Sequence, residues 1–123
     1  MDGIINVYKE AGFTSHDVVA KLRGILRQKK IGHTGTLDPA ATGVLPVCLG
    51  KATKVCELLT DKDKSYRAVC KLGVETDTQD MTGTILKEYD VIGISEQNIR
   101  ECVEKFVGDI KQIPPMYSAL KVN

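Results

Sequence analysis

The sequence predicts an α+β fold, with a mixed, mostly antiparallel sheet and flanking helices. Short β-prone runs are interspersed with segments whose apolar residues recur at helical spacing. The two kinds of segment do not follow the regular strand–helix–strand order of a parallel sheet. With 123 residues, 42% of them hydrophobic, the chain is long enough for one domain with a hydrophobic core.

The first two predicted elements are a strand and a helix. Residues 4–8, IINVY, form a β-prone run that ends at the KEAG turn. Thr14 and Ser15 are good N-cap residues, Asp17 suits a first helical turn, and the apolar residues that follow recur at helical spacing. We therefore expect a helix from Ser15 to about Arg27, ending in the basic QKK tail that suits its negative C-terminal pole.

The middle of the chain predicts two strands separated by a helical segment. Residues 44–49, VLPVCL, have the composition of a buried strand, in which Pro46 indicates an edge position or a bulge. Residues 52–59 carry apolar side chains at helical spacing. Residues 65–72, SYRAVCKL, alternate like a strand with Tyr66 on its apolar face.

The last third predicts a strand, a helix and a final short strand. Residues 82–91, TGTILKEYDV, favour a strand, and Ser95 is placed to cap a helix whose apolar residues share one face. The double proline at 114–115 ends any helix, and residues 117–122, YSALKV, predict one more strand.

The cysteines favour a structural role as small buried thiols. They lie in apolar segments without the spacing of a zinc site or a redox pair; they are Cys48, Cys56, Cys70 and Cys102. No apolar run approaches the roughly 20 residues that cross a bilayer, and the start MDGIINVYKE lacks a signal pattern. We therefore expect a cytoplasmic protein with no membrane contact.

Charge is distributed unevenly along the chain. Residues 1–74 contain 12 Lys and Arg against 7 Asp and Glu, whereas residues 75–109 contain 3 against 9. No acid lies between positions 17 and 38, a span that includes Lys29 and Lys30. A solvated helix face is the usual meaning of such a run, and on charge alone it is favoured. The alternative is a surface that docks phosphates.

Residues 32–43, GHTGTLDPAATG, surround a lone carboxylate, Asp38, with small residues. One interpretation is structural: Asp38 caps a helical turn that begins at Pro39 and stops at Gly43. The other is catalytic, because the glycines let a ligand approach the backbone and Pro39 pushes Asp38 into an extended pose. Such an acid could act as a nucleophile, a general base or a stabiliser of a sugar cation.

Two other kinds of site are disfavoured. A phosphate-binding P-loop is excluded because Gly50 and Lys51 are followed by alanine, with no glycine at the required distance before them. A metal site built from His33, Asp38 and the aspartates at 77 and 80 matches no ligand spacing, so we expect no metal.

Four stretches resemble, in order and spacing, the bacterial tRNA pseudouridine-55 synthase (TruB) family. They are GHTGTLDPAATGVLPVCLGKATK, KSYRAVCKLG, ETDTQD and IKQIPPMYSALKV. The resemblance covers essentially the whole chain. It implies that residues 1–123 are the N-terminal half of the catalytic domain, with the rest of that domain and a C-terminal PUA domain absent.

The resemblance also implies an activity. The family isomerises a uridine of the tRNA T-loop by breaking its C–N bond, turning the base and rejoining it through carbon, without metal or organic cofactor. The implied partner is the T-arm of tRNA, and the whole protein is expected to be a monomer. Because residues 1–123 lack the family's active-site arginine, we expect them to be inactive alone, with a non-catalytic RNA-binding role as the alternative.

Residue by residue, the resemblance implies three active-site roles. Asp38 matches the essential aspartate, which acts either as a nucleophile or as a base that generates a glycal-like intermediate. Tyr66 matches a tyrosine that stacks on the flipped base, although a core aromatic of a strand fits its spacing equally well. Asp80 resembles a second aspartate that helps hold the arginine.

Further residues are implied to contact RNA. His33 matches a histidine that enters the T-loop, and Lys54 matches an RNA-contacting lysine. Lys29 and Lys30 join them as the basic residues that precede the loop. The sequence departs from the family at KEAGFTS, where Glu10 replaces a proline.

Overall fold

The computed structural model describes residues 1–113, so the strand predicted at 117–122 lies outside the described residues. The chain divides into two units, Met1–Tyr66 and Arg67–Asn123. The first unit contains helices and the second one helix in its described part, and both contain antiparallel strands, which confirms the α+β class.

The first unit is a three-stranded antiparallel sheet with helices. Its strands follow the spatial order β1-β3-β2, so β3 is central. The elements in chain order are β1 (Gly3–Lys9), α1 (Ser15–Leu26), β2 (Ile31–His33), β3 (Gly43–Leu49), a 3-10 helix (Gly50–Val55) and α2 (Cys56–Thr60). The strand predicted at 4–8 and the helix predicted from Ser15 are both confirmed.

Helix α1 is delimited by local hydrogen bonds at both ends. At its N-terminus the Thr14 hydroxyl accepts from the Asp17 N–H at 3.0 Å, and the Asp17 carboxylate accepts from the Thr14 N–H at 2.8 Å. This reciprocal pair satisfies two backbone donors that the helix leaves free. At the other end Arg27 adopts a left-handed conformation, with φ of 48°, which ends the helix.

The capping bonds make Asp17 a source of acid sensitivity. Hydrogen bonds from the Thr14 side chain and N–H lower the pKa of Asp17 below its ordinary value of 3.8. A lowered folded-state pKa gives stability that is present above the unfolded value and lost as the pH falls through the folded one. Asp17→Asn should therefore lower the urea midpoint at pH 7 but flatten its decline below pH 4. An acid-induced decline equal to that of the wild type would contradict this assignment.

Helix α1 covers one face of the sheet. Residues at alternating positions of the strands point toward this helix. With the helix residues they form a core whose buried members are Val18, Val19, Ile31, Leu45, Val47 and Leu49. Strand β1 contributes Ile5, Val7 and finally Lys9 to the same face, and Lys9 is 0% exposed. A charged side chain therefore ends an otherwise apolar buried row.

Pro46 lies in the central strand, so its predicted edge or bulge position is wrong. β3 pairs with β1 along its whole length without a register shift, and Pro46 lies opposite Asn6. The Pro46 carbonyl accepts from the Thr34 N–H at 3.1 Å, so the side of the residue that lacks an N–H faces the β2 edge. Because β2 ends at His33, no strand residue opposite Pro46 requires a hydrogen bond from a backbone N–H at this position.

The helical prediction for 52–59 is confirmed, although its first part is a 3-10 helix. The prediction of buried thiols is confirmed for Cys48. Burial raises the pKa of the Cys48 thiol to about 11, and the neighbouring thiol of Cys56 adds to this increase. Cys56 is half-buried, and Cys70 and Cys102 are exposed, so the prediction is wrong for these two. Within residues 1–113 they lie where no element packs over them.

The second unit contains a two-stranded antiparallel sheet and one helix within the described residues: β4 (Val74–Thr76), β5 (Ile85–Glu88) and α3 (Glu96–Glu104). The predicted strand within 82–91 and the Ser95 cap are confirmed. The prediction of a strand at 65–72 is wrong, because this segment pairs with no strand among the described residues. The apolar face of α3 is exposed in the described residues, and no residue of this helix is buried.

Candidate active site and RNA-binding surface

Asp38 lies on the loop between β2 and β3, at the first position of a β-turn. Its carbonyl accepts from the Ala41 N–H at 3.0 Å, and Pro39 occupies the second position of the turn, where its fixed φ is favoured. The predicted helical turn is therefore replaced by a β-turn. The Asp38 side chain is exposed and makes no hydrogen bond or ion pair within residues 1–113.

The backbone on both sides of Asp38 is held by hydrogen bonds, although its side chain makes none within residues 1–113. On one side the Leu37 N–H donates to Ser15 Oγ at 3.0 Å, and Ser15 is buried at the start of α1. On the other side the Pro39 carbonyl accepts from the Gly12 N–H at 2.8 Å. The turn thus presents a carboxylate to solvent from a backbone that is hydrogen-bonded on both sides.

Lys9, at the end of β1, supports the Asp38 turn through hydrogen bonds. The sequence analysis did not predict this role. Its ammonium group donates to the carbonyls of Glu10 at 3.0 Å, Phe13 at 2.6 Å and Pro39 at 3.3 Å. Three acceptors satisfy all three donors of the buried ammonium. The alternation of Ile5, Val7 and Lys9 on β1 was the signal available in the sequence, because it places Lys9 on the buried face.

His33 is the last residue of β2, at the start of the Asp38 loop. The side chain is half-buried, and its Nδ1 is buried with no hydrogen-bond partner in the described part of the chain. Nε2 is then the ring atom left to contact a ligand. His33 and Asp38 therefore stand at the two ends of one short loop segment.

Tyr66 is 72% exposed and belongs to no strand. The alternative of a core aromatic is therefore wrong. Among residues 1–113, its hydroxyl makes no hydrogen bond, so both the ring and the hydroxyl are available to a partner.

The predicted RNA-binding lysines lie on two segments of the first unit. Lys29 and Lys30 occupy the connection from α1 to β2, and Lys54 lies in the 3-10 helix. All three are exposed, and none has an acidic partner in the part of the chain that the structure describes. Arg23 differs, because its guanidinium donates to the carbonyls of Lys29 at 3.1 Å and Ile31 at 3.3 Å and so has a structural role.

Asp80 belongs to the second unit, in the loop between β4 and β5. Its Oδ1 accepts from the Thr78 hydroxyl at 2.8 Å and from the Thr82 hydroxyl and N–H at 2.6 and 2.7 Å. The hydrogen bonds from Thr82 and then Thr78 hold the pKa of Asp80 below its ordinary value. Its Oδ2 makes no bond within residues 1–113, so one ionised oxygen remains for a cation.

Within residues 1–113, no three His, Cys, Asp or Glu side chains converge as metal ligands would. The helices of that range are too short or too polar to cross a membrane. In the first unit, Asp38 is anchored near the Gly43 end of β3 and the lysines lie at its Leu49 end, whereas Asp80 is held in a loop of the second unit.

Comparison with known proteins identifies what this arrangement resembles. A family model described as "TruB family pseudouridylate synthase (N terminal domain)" matches residues 23–123. A tRNA pseudouridine synthase B of Clostridium perfringens (strain 13) is 56% identical over 123 residues, which are 100% of this chain and 42% of that protein. The enzyme of the same name from Geotalea uraniireducens is 58% identical over 123 residues, 100% of this chain and 40% of its own.

A solved structure agrees with these sequence matches. The crystal structure of a Cbf5–Nop10–Gar1 complex contains a chain that is 34% identical, with a TM-score of 0.63 over 97% of this chain and 31% of that one. Taken together, the family match and the fold place the chain in the class of pseudouridylate synthases. Within that class, it belongs to the TruB family. It spans about 42% of the length of the first of these curated relatives.

Proposed function

We propose that this protein is a tRNA pseudouridine synthase that isomerises the uridine at position 55 of the T-loop. The observation that carries the proposal is Asp38: an exposed carboxylate with no partner in residues 1–113, held on a turn whose flanking backbone is anchored to α1 and to the segment after β1. Membership of the TruB family and the name shared by the relatives support it. A protein that acts on tRNA would work in the cytoplasm, and we propose that it does so as a monomer.

The chemistry requires one bond to be exchanged for another. The bond between ribose C1′ and uracil N1 breaks, a bond between C1′ and C5 forms, N1 gains a proton and C5 loses one. Asp38 can serve either by attacking C1′ or by removing a sugar proton to give a glycal-like intermediate. Both roles need a sterically open carboxylate, and the Asp38 side chain is exposed on a turn whose flanking backbone is anchored.

The other proposed roles follow from exposure and bonding. Tyr66 offers an exposed ring on which the flipped uracil can stack, and this recovers part of the stacking energy lost on flipping. His33 contacts the T-loop through Nε2. Asp80 uses its free Oδ2 to orient an arginine, which the family resemblance implies in the remainder of the catalytic domain.

The lysines supply the sequence-independent part of tRNA binding. Lys29, Lys30 and Lys54 have no acidic partner in the part of the chain described, so their charges are available to phosphates. Each phosphate neutralised releases condensed counterions, which makes the affinity depend on salt. These lysines lie at the Leu49 end of β3 and the Asp38 turn near its Gly43 end, so the lysines would hold one part of the T-arm while the carboxylate acts on a nucleotide of another part.

A non-catalytic RNA-binding role is the second candidate. The observation that favours it is that Asp38 has no cationic partner among residues 1–113, so nothing there orients the carboxylate or favours its charged form. In that case the protein would bind a T-arm stem-loop without changing its uridine.

The release of a C5 label distinguishes the two functions. In the gene's full-length product, a T-arm stem-loop carrying tritium at C5 of the target uridine should lose that tritium to water, because C5 must give up its hydrogen to bond C1′. A stem-loop labelled only at its other uridines is the control and should retain the label. Tight binding with no release from the target would favour the non-catalytic role.

A further inference from the structure

The first two residues of the chain are tied to the basic segments of the first unit by a set of hydrogen bonds. The Met1 ammonium donates to Gln28 Oε1 at 2.9 Å, and Gln28 Nε2 donates to the carbonyls of Met1 at 2.8 Å and Lys30 at 3.2 Å. Asp2 Oδ1 accepts from the Lys51 N–H at 2.8 Å. The chain start thereby joins the α1–β2 connection to the 3-10 helix.

Gly50 is the residue that makes this junction possible. It has a left-handed φ of 56°, and a Cβ built there would lie 1.9 Å from Asp2 Oδ1 and 2.7 Å from the Met1 carbonyl oxygen. The Gly50 N–H donates to the Lys30 carbonyl at 2.8 Å. The space that a side chain would fill is therefore occupied by Asp2, and any larger residue must displace it.

The Asp2 carboxylate fixes the first turn of the 3-10 helix. The early N–H groups of a helix lack acceptors within the helix, and an acidic side chain is a favourable acceptor for one of them. Here the Lys51 N–H receives that acceptor from outside the helix, while the Thr53 hydroxyl donates to the Gly50 carbonyl at 2.8 Å within it. One further turn along stands Lys54.

The junction thus joins two pairs of exposed lysines. Lys29 and Lys30 lie beside Gln28, and Lys51 and Lys54 lie on the 3-10 helix. In the part of the chain that the structure describes, none of the four has an acidic partner within ion-pair distance. Phosphates along an RNA strand have a fixed spacing, so a preorganised spacing of cations reduces the ordering cost of binding.

We propose that Asp2 is a positioning residue for RNA binding. By accepting from the Lys51 N–H, its side chain holds Lys51 and Lys54 at a fixed spacing from Lys29 and Lys30, so that both pairs engage phosphates of the same RNA. The inference rests on the proposed function, since it specifies how that RNA is held. Neither motif resemblance nor charge pattern pointed to Asp2, which lies far from the Asp38 loop in sequence.

The role assigned to Asp2 depends on its acceptor atom and not on its charge. A negative charge near four lysines weakens the attraction of phosphates, so a residue present only for electrostatics would be unfavourable there. Asp2→Asn keeps an Oδ1 acceptor and removes the charge, whereas Asp2→Ala removes both. The two substitutions should therefore differ: Asp2→Ala should weaken RNA binding, and Asp2→Asn should not.

The test compares steady-state kinetics of the full-length protein on the T-arm stem-loop. Asp2→Ala should raise KM about fivefold, a loss of about 1 kcal/mol of binding free energy, with kcat unchanged within about twofold. Asp2→Asn should have the wild-type KM or a lower one. Asp63→Ala is the matched control, because it removes an exposed carboxylate of the same unit that accepts no hydrogen bond among residues 1–113.

Each outcome decides the inference. A wild-type KM in Asp2→Ala would overturn the inference. A lowered KM in both variants would also overturn it, because it indicates an effect of charge alone. A fall in kcat together with a lower Tm would overturn it too, because it indicates a merely structural role. Faster exchange of the Lys51 amide hydrogen in Asp2→Ala than in Asp2→Asn would support it. An inactive wild type would overturn the proposed function, and this result is distinct from an active wild type with an insensitive Asp2.

Discussion

Asp38→Asn is expected to lower kcat for pseudouridine formation about a thousandfold or more. The amide has nearly the same shape as the carboxylate, but it carries no charge and can neither attack C1′ nor accept a proton. The Asp38 side chain makes no hydrogen bond within residues 1–113, and the turn is closed by its backbone carbonyl. The fold and the affinity for the T-arm stem-loop should therefore remain within about twofold of the wild type.

Two further variants make the Asp38 prediction specific. Asp38→Glu keeps the charge but moves it by one methylene, and a displacement of that size in a preorganised site costs about a hundredfold. Asp61→Asn neutralises another exposed carboxylate of the same unit and should leave kcat unchanged. Turnover by Asp38→Asn above about a tenth of the wild-type rate would rule out the carboxylate as the reacting group.

The parts of the fold that could be predicted from the sequence are those set by neighbouring residues. Helix α1 is delimited by Thr14, Asp17 and Arg27, all within one turn of its ends, so caps and periodicity were sufficient. Ser95 delimits α3 in the same way. The catalytic interpretation of the Asp38 loop likewise drew on residues within a few positions of it.

The errors concern features that depend on distant parts of the chain. Pro46 is tolerated in a central strand only because β2 ends opposite it, and the pairing of β2 with β3 cannot be read from 44–49 alone. Segment 65–72 has the alternation of a strand but no described partner. The Asp38 turn was expected to be helical because Asp-Pro suits both a cap and a β-turn; the anchors from Ser15 and Gly12 distinguish the two.

Lys9→Met should lower the free energy of unfolding by about 3 kcal/mol, because it leaves the carbonyls of Glu10, Phe13 and Pro39 without their buried donor. Methionine fills a similar volume, so the loss reports the hydrogen bonds and not a cavity. Urea unfolding of the full-length protein would measure it. Lys62→Met, at an exposed lysine that makes no side-chain hydrogen bond within residues 1–113, is the control and should change stability by less than about 0.5 kcal/mol.

The same substitution should separate catalysis from RNA binding. Pro39 follows Asp38 directly, and its carbonyl keeps only the Gly12 N–H once the ammonium is removed. A looser turn presents the carboxylate over a wider range of positions, which lowers kcat more than it raises KM. The exposed lysines are unchanged. The affinity of the folded variant for the T-arm stem-loop, measured without urea, should therefore stay close to that of the wild type. A KM effect larger than the kcat effect would show that Lys9 supports the RNA-binding surface and not the Asp38 turn.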